Sequence, residues 1–347
     1  RARQACPVQL THLLMVLQQN SVISCPIIVQ YSGHFQVKRG IITPMTGVLD
    51  QILGLSGKNS IPDVVLAPMS GITDRPFRRA VRRAGGGLVI SEMVASYAML
   101  TDIRKEMKKI SADLRSEAPI GLQIAGWDPQ MMADAAQMAE QLGVSLIDIN
   151  MGCPAKKVIG RVSGSALMRE PDRVKRICDA VVRSVSLPVT LKTRLGWDDA
   201  SLNAPEIAQI AEQAGVRLVT IHGRTRCQMY KGHADWLAVK AVVNSVQIPV
   251  FVNGDITSFE TAKTALKDSR AAGVMVGRAA MGQPWLLAQI ADYISGVPVR
   301  LVPNMLQQYS MMINHLNDIK KEKGEIGLRS ARKHFASYCD HLEGSDE

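Results

Sequence analysis

The chain has 347 residues, 46% of them apolar, which is enough to bury a large core. Its composition is that of an ordinary globular protein, and no apolar stretch is long enough to span a bilayer. The formal net charge of +10 favours an anionic partner, nucleic acid before membrane, because no basic amphipathic helix stands out.

The first 49 residues contain no Asp or Glu, and their apolar runs (Leu13–Leu17, Ile27–Val29) are short and interrupted. A transit peptide would be acid-poor too, but richer in Arg and Ser. Residues 1–44 are therefore read as an extension outside the working protein, upstream sequence read through in frame, with the protein proper starting near Met45. A disordered or targeting segment is the alternative.

From residue 63 a regular alternation sets in. Short apolar runs occur at Asp63–Ala67, Gly87–Ser91, Pro119–Ile124, Ser145–Ile149, Pro188–Lys192, Arg217–Ile221, Pro249–Val252 and Gly273–Val276. Nearly continuous apolar runs are the mark of parallel strands buried on both faces. Helical stretches lie between them, such as Pro129–Leu142 and Ala204–Ala214, closing on Gly143 and Gly215. Eight such units predict an α/β fold, a TIM (β/α)8 barrel, over residues 45–300. A doubly wound sheet is disfavoured, because the first strand runs into Ala67-Pro68-Met69-Ser70-Gly71 and not a glycine fingerprint. Beyond Val302, Met305–Lys321 and Leu328–His341 read as two helices with basic faces, a small C-terminal helical domain over 301–347.

The polar residues collect at the ends of the predicted strands, where barrel chemistry gathers. Asn253-Gly254-Asp255 and Gly277-Arg278 follow strands seven and eight, the usual place for a phosphate; glycines admit backbone N–H groups and Arg278 adds a charged fork. Lys192 and Gln123 face the mouth, where a lysine suits the anionic edge of a reduced flavin and an amide suits its ring; an ion pair of Lys192 with Asp148 or Glu92 is the competing reading. His222 can donate to a phosphate or a substrate, or be structural. The six cysteines make no C-x-x-C pair, and their spacing fits neither a zinc site nor a disulfide framework, so reduced thiols in a cytoplasmic setting are expected. Among them Cys153 stands apart, in a rim loop before Pro154 and the basic Lys156-Lys157, where a thiol can serve as general acid. Cys178 and Cys227 lack that setting. Arg75, Arg78, Arg79, Arg82 and Arg83 are expected on a solvated helix face.

These segments resemble the tRNA-dihydrouridine synthase family, its bacterial B type above all. The resemblance rests on Ala67-Pro-Met-Ser-Gly-Ile-Thr-Asp-Arg-Pro-Phe77, Gln123-Ile-Ala-Gly126, Asp148-Ile-Asn-Met-Gly-Cys-Pro-Ala-Lys-Lys157, Gly164-Ser-Ala-Leu167, Leu191-Lys-Thr-Arg-Leu-Gly-Trp197, His222-Gly-Arg-Thr225, Asn253-Gly-Asp255, Gly277-Arg278 and Ala331-Arg-Lys-His334. It covers about residues 62 to 341. It implies FMN-dependent, NADPH-driven reduction of uridines in tRNA to dihydrouridine, with hydride to C6 and a proton from Cys153 to C5. It also implies that Pro68, Met69, Ser70, Gln123, Lys192, His222, Asn253, Gly254, Asp255, Gly277 and Arg278 hold the flavin. Asn150 and Arg194 would lie against the uracil. Lys156, Lys157, Arg161, Arg224, Arg226, Arg329, Arg332 and Lys333 would contact the tRNA backbone. A monomer without a metal is expected, and the helical domain looks shorter than the family's. Another FMN barrel acting on a free pyrimidine or enone is the alternative, and a non-catalytic RNA-binding protein is a further one.

Overall fold

The computed structural model describes residues 47–101, 114–155 and 163–341. Nine parallel strands occur among them: β1 Val64–Leu66, β2 Leu88–Ile90, β3 Val94–Ala95, β4 Ile120–Ala125, β5 Leu146–Asn150, β6 Val189–Arg194, β7 Leu218–His222, β8 Val250–Asn253 and β9 Gly273–Val276. Neighbours pair in sequence order, β1 returns to β9, and β2 pairs with β4, so the sheet closes on itself. This is the expected eight-fold β/α barrel, and β3 is a short continuation of the second strand. After β2, Ser91 turns inward, its Oγ accepting from the Gln123 N–H at 3.2 Å; the chain then rejoins β4 at Val94↔Ile124.

Two apolar layers hold the barrel. Inside, Val65, Leu88, Ile90, Leu146, Leu218, Phe251 and Met275 interdigitate. Outside, the strands' other faces pack against helix residues such as Phe77, Met132, Ile177, Ile207 and Val239. The helices are α1 Val48–Leu53, α2 Arg75–Arg83, α3 Ser96–Thr101, α4 Pro129–Gln141, α5 Pro171–Ser184, α6 Ala204–Gln213, α7 Trp236–Val243, α8 Phe259–Ser269, α9 Leu286–Ile294 and α10 Met305–Cys339. Their starts are written in the sequence: Asp74, Asp128, Asp235 and Ser258 each cap a helix by accepting from an N–H three residues on. α1 was not anticipated. Leu49 joins the inner layer, and the Asp63 carboxylate receives the N–H groups of Val48 and Leu49 at 3.0 and 2.8 Å. Closing one end this way leaves the mouth at the other.

α10 bears out the expectation of two helices: Met305–Cys339 is two helical halves that meet at a kink at Gly324 (φ 62°, ψ −159°), a conformation glycine adopts at little cost. The helix docks on α2, with His315 and His334 against the Phe77 ring, and Met312, Ile319, Ala331 and Tyr338 on it are buried. The expectation for the α2 arginines is corrected. Arg78 is 2% exposed and grips the Glu117 carboxylate at 2.8 and 2.9 Å. Arg82 donates to the carbonyls of Glu117, Ala118 and Pro119, and Arg83 meets Asp318 of α10 at 2.6 Å. A face that reads as solvated in one dimension is here a joint between barrel and tail.

Candidate active site

The site begins with a line of buried polar groups across β4, β5 and β6. Asp148 accepts from the Thr190 hydroxyl and from the Gln123 amide, both at 2.7 Å. Gln123 Oε1 accepts from Asn150 Nδ2 at 2.8 Å. Asn150 Oδ1 in turn accepts from the N–H groups of Gly152 and Cys153 at 3.2 and 3.0 Å. The Cys153 carbonyl accepts from Ser165 N and Oγ at 3.1 and 3.0 Å. The loop carrying the thiol is thereby fixed from both sides, while Cys153 itself stays partly exposed at the rim and unbridged. Burial raises the Asp148 carboxyl, against the lowering effect of its two hydrogen bonds and of Lys192.

Arg194, at the end of β6 and 2% exposed, completes the hold on that loop. Its Nε donates to the Gly152 carbonyl at 2.7 Å, and its Nη1 to the carbonyls of Thr225 and Met229 at 3.0 and 2.9 Å. Burial lowers its guanidinium to about 10, so it stays charged near neutrality. Its charge and that of Lys192 both lie within electrostatic reach of Cys153.

Next to it sits a second buried arginine. Arg224 Nη2 pairs with both Asp255 carboxylate oxygens at 2.6 and 2.9 Å, and its Nη1 lies 3.3 Å from His222 Nε2. Burial, then the charges of Lys192, Arg194, Arg224 and Arg278, push the His222 imidazole well below its usual value. The ring is therefore neutral. With Nε2 accepting from an arginine, its proton resides on Nδ1, which has no partner among the described residues and remains available as a donor.

At the ends of β8 and β9 the backbone opens. Among the described residues, the N–H groups of Gly254, Asp255, Gly277 and Arg278 have no acceptor, the arrangement that makes an anion cradle. Gly254 has φ 109°, and a Cβ there would come within 2.7 Å of the His222 ring, so the close approach requires glycine. Arg278 is largely exposed, 4.0 Å from Asp255 and over the Tyr230 ring at 5.1 Å. Lys192 lies between cradle and thiol. It has no hydrogen bond or ion pair among the described residues, and burial lowers its ammonium to about 8, with Arg194 adding to the shift and Asp148 opposing it. A half-buried, unpaired cation facing four unsatisfied N–H groups calls for an anionic ligand with a second anionic end. These residues could hold a phosphorylated, anionic cofactor.

The dihydrouridine synthase family model matches residues 65–347. The chain belongs to the dihydrouridine synthase family. A probable tRNA-dihydrouridine synthase of Rhodobacter capsulatus is 52% identical over 280 residues, 80% of this chain and 86% of that protein. Its counterpart in Rickettsia conorii is 49% identical over 287 residues, with 82% and 86% covered. The tRNA-dihydrouridine synthase B of Pseudomonas aeruginosa is 44% identical over 296 residues, with 84% and 88% covered.

Within this dihydrouridine synthase fold, the expected residues sort by what their side chains are free to do. Lys192, His222, Arg278 and Cys153 keep open functional atoms at the mouth. Pro68, Met69 and Ser70 form the turn after β1, closed by the Ile72 and Thr73 N–H groups on the Met69 carbonyl at 2.9 Å, with Met69 Sδ beside Gly277. Gln123 and Asn150 are occupied in the buried line. Asn253 spends its amide on the Met275 carbonyl at 2.8 Å, so only its place at the strand end bears on the cradle. Asp255 was expected on the phosphate; its carboxylate instead neutralises Arg224 and receives the Ala234 N–H at 2.7 Å, and only its backbone faces the cradle. Arg224, expected on RNA, is buried in that pair. Arg194, expected against uracil, has two nitrogens committed to loop carbonyls. Arg329, Arg332 and Lys333 are exposed on α10 with no ion pair among the described residues. Lys156, Lys157 and Arg161 lie outside the described residues, as do residues 1–44. Sequence reasoning missed Thr190 and Tyr230. Thr190 carries no signal within an apolar strand. Tyr230 does, as a lone aromatic in a basic loop; its ring lies within reach of Arg194 (5.6 Å), Arg278 (5.1 Å) and His222 (6.3 Å).

Proposed function

We propose that this chain reduces uridines in transfer RNA to 5,6-dihydrouridine, with FMN as cofactor and NADPH as reductant. The observation that carries the reading is the pairing of an anion cradle with an unpaired Lys192 and a rim thiol on one barrel mouth. The bound cofactor would supply hydride from NADPH to uracil C6.

The rest of the chemistry falls to side chains. Backbone N–H groups at 254, 255, 277 and 278, with the Arg278 guanidinium, hold the phosphate. Lys192 balances negative charge on the ring edge. His222 Nδ1 donates to whichever oxygen lies above it. Cys153 gives its proton to C5 as general acid. The target base enters unstacked, as base-modifying chemistry requires. Arg329, Arg332 and Lys333 meet the RNA backbone, so affinity falls steeply with salt.

The test is dihydrouridine formation in an unmodified tRNA transcript with FMN and NADPH, beside free uridine and uracil. Turnover confined to the transcript supports the proposal. Turnover of the free base alone refutes it and points to a small-molecule reductase.

A further inference from the structure

Away from the mouth, Asp74, His315 and His334 converge in the seam between α2 and α10. Each offers one ligand atom, and these atoms lie within 4.8 Å of one another. The three residues are 6%, 1% and 1% exposed. His315 Nε2 and both ring nitrogens of His334 are buried without a hydrogen-bond partner among the described residues. Orphaned buried nitrogens are unfavourable and rare, and three in one cluster require an explanation. His315 Nδ1 lies 3.4 Å from the Tyr338 hydroxyl, which can orient the ring from behind as outer groups orient metal ligands. The Phe77 ring lies 5.6 and 5.1 Å from the two imidazoles. Burial lowers His315 to about 3 and His334 to about 4, so both rings carry free lone pairs at neutral pH.

We propose that Asp74, His315 and His334 bind a first-row divalent cation of the zinc class. Two imidazoles and one carboxylate match that class, whereas magnesium and calcium prefer all-oxygen sets. Water fills the remaining position. Asp74 also ion-pairs with Lys323, and that ammonium must give way when the cation enters. The consequence is structural. Asp74 caps α2 just after the turn that includes Ser70, while His315 and His334 stand on either side of Gly324, so a single ion pins both halves of α10 to the barrel.

The test is equilibrium dialysis of the chelator-stripped full chain against Zn(II), with Co(II) as a spectroscopic probe. The parent should take up one equivalent per chain and show visible bands of low-coordinate cobalt without a sulfur charge-transfer band. His315→Gln and His334→Gln should each lose more affinity than the ~10–100-fold typical of outer-shell changes. Lys323→Met keeps every ligand and removes the competing charge, so it should bind the cation more tightly, and it decides the matter should a histidine variant fail to fold. Failure of the parent to bind, a cobalt–sulfur band, unchanged affinity in His334→Gln, or affinity in Lys323→Met no tighter than the parent's would each overturn the site.

Discussion

Arg194→Lys isolates what the clamp on the thiol loop contributes. The arginine is 2% exposed and donates to Gly152, Thr225 and Met229 carbonyls at 2.7, 3.0 and 2.9 Å. Lysine keeps the charge but replaces a planar fork by a single nitrogen on a shorter reach. It can serve the Gly152 carbonyl or the pair on the following loop, and not both. Hydrogen bonds from a charged donor contribute about 1.5–3 kcal/mol each, and losses within one network are not additive, so a net cost of about 2–4 kcal/mol follows. For a chain of this size that lowers the thermal midpoint by roughly 3–6 °C. The Gly152 carbonyl is one residue from Cys153, and a displacement of about 1 Å at the reacting group costs on the order of 10²-fold in rate. Thermal denaturation followed by circular dichroism, with dihydrouridine formation measured well below the midpoint, separates the two effects. A variant whose midpoint stays within about 1 °C and whose rate stays within about twofold of the parent's would refute the clamp.

Three further outcomes are expected. Cys153→Ala should bind flavin as the parent does and lose about 10²–10⁴ in dihydrouridine formation; equal rates would remove the thiol from the chemistry. Lys192→Met concerns an ammonium whose folded value, about 8, lies below its ordinary 10.5. Its destabilising effect is therefore present below pH 8 and fades as pH rises toward 10.5. The variant should be more stable than the flavin-free parent at neutral pH, yet bind flavin more weakly, and the parent's flavin affinity should drop above about pH 8 while the variant's stays flat. A flat parental profile counts against the assignment. Asp255→Asn leaves Arg224 buried without its 2.6 Å partner. Breaking a buried pair costs about 3–5 kcal/mol; Asp255 is partly solvated, so urea denaturation should show about 2–3. Burial raises the Asp255 carboxyl, but the Ala234 N–H and Arg224 outweigh it and leave the group below 3.8. The parent therefore keeps this contribution above its unfolded value and loses it only as pH falls further.

The barrel was legible because parallel strands buried on both faces must be apolar along their length, and each predicted run falls within two residues of an observed strand. β3 escaped because two residues carry no periodicity, and α1 because its single turn and a half depends on Asp63, which reads as the start of a strand. Strand ends also revealed which residues reach the mouth. Which of them remain free once there depends on partners supplied by other loops. Asp255 looked like part of a phosphate loop until Arg224, from the preceding strand's end, claimed its carboxylate. Arg78 looked solvated because Glu117 is 39 residues away. The Asp74, His315 and His334 cluster was hidden for the same reason, since its members are far apart in the chain and none sits in a ligand-spacing motif.

The buried line through Asp148, Gln123 and Asn150 has a direction. Asp148 accepts, which turns the Gln123 amide nitrogen toward it and leaves its oxygen for Asn150; that orients the Asn150 amide in the same sense and presents its oxygen to the Cys153 N–H. Inverting any member sets donor against donor or acceptor against acceptor at the next. Positions 123, 148 and 150 should therefore diverge in concert across descendants, and transplanting the thiol loop into another barrel requires taking β4 and β5 along as its foundation.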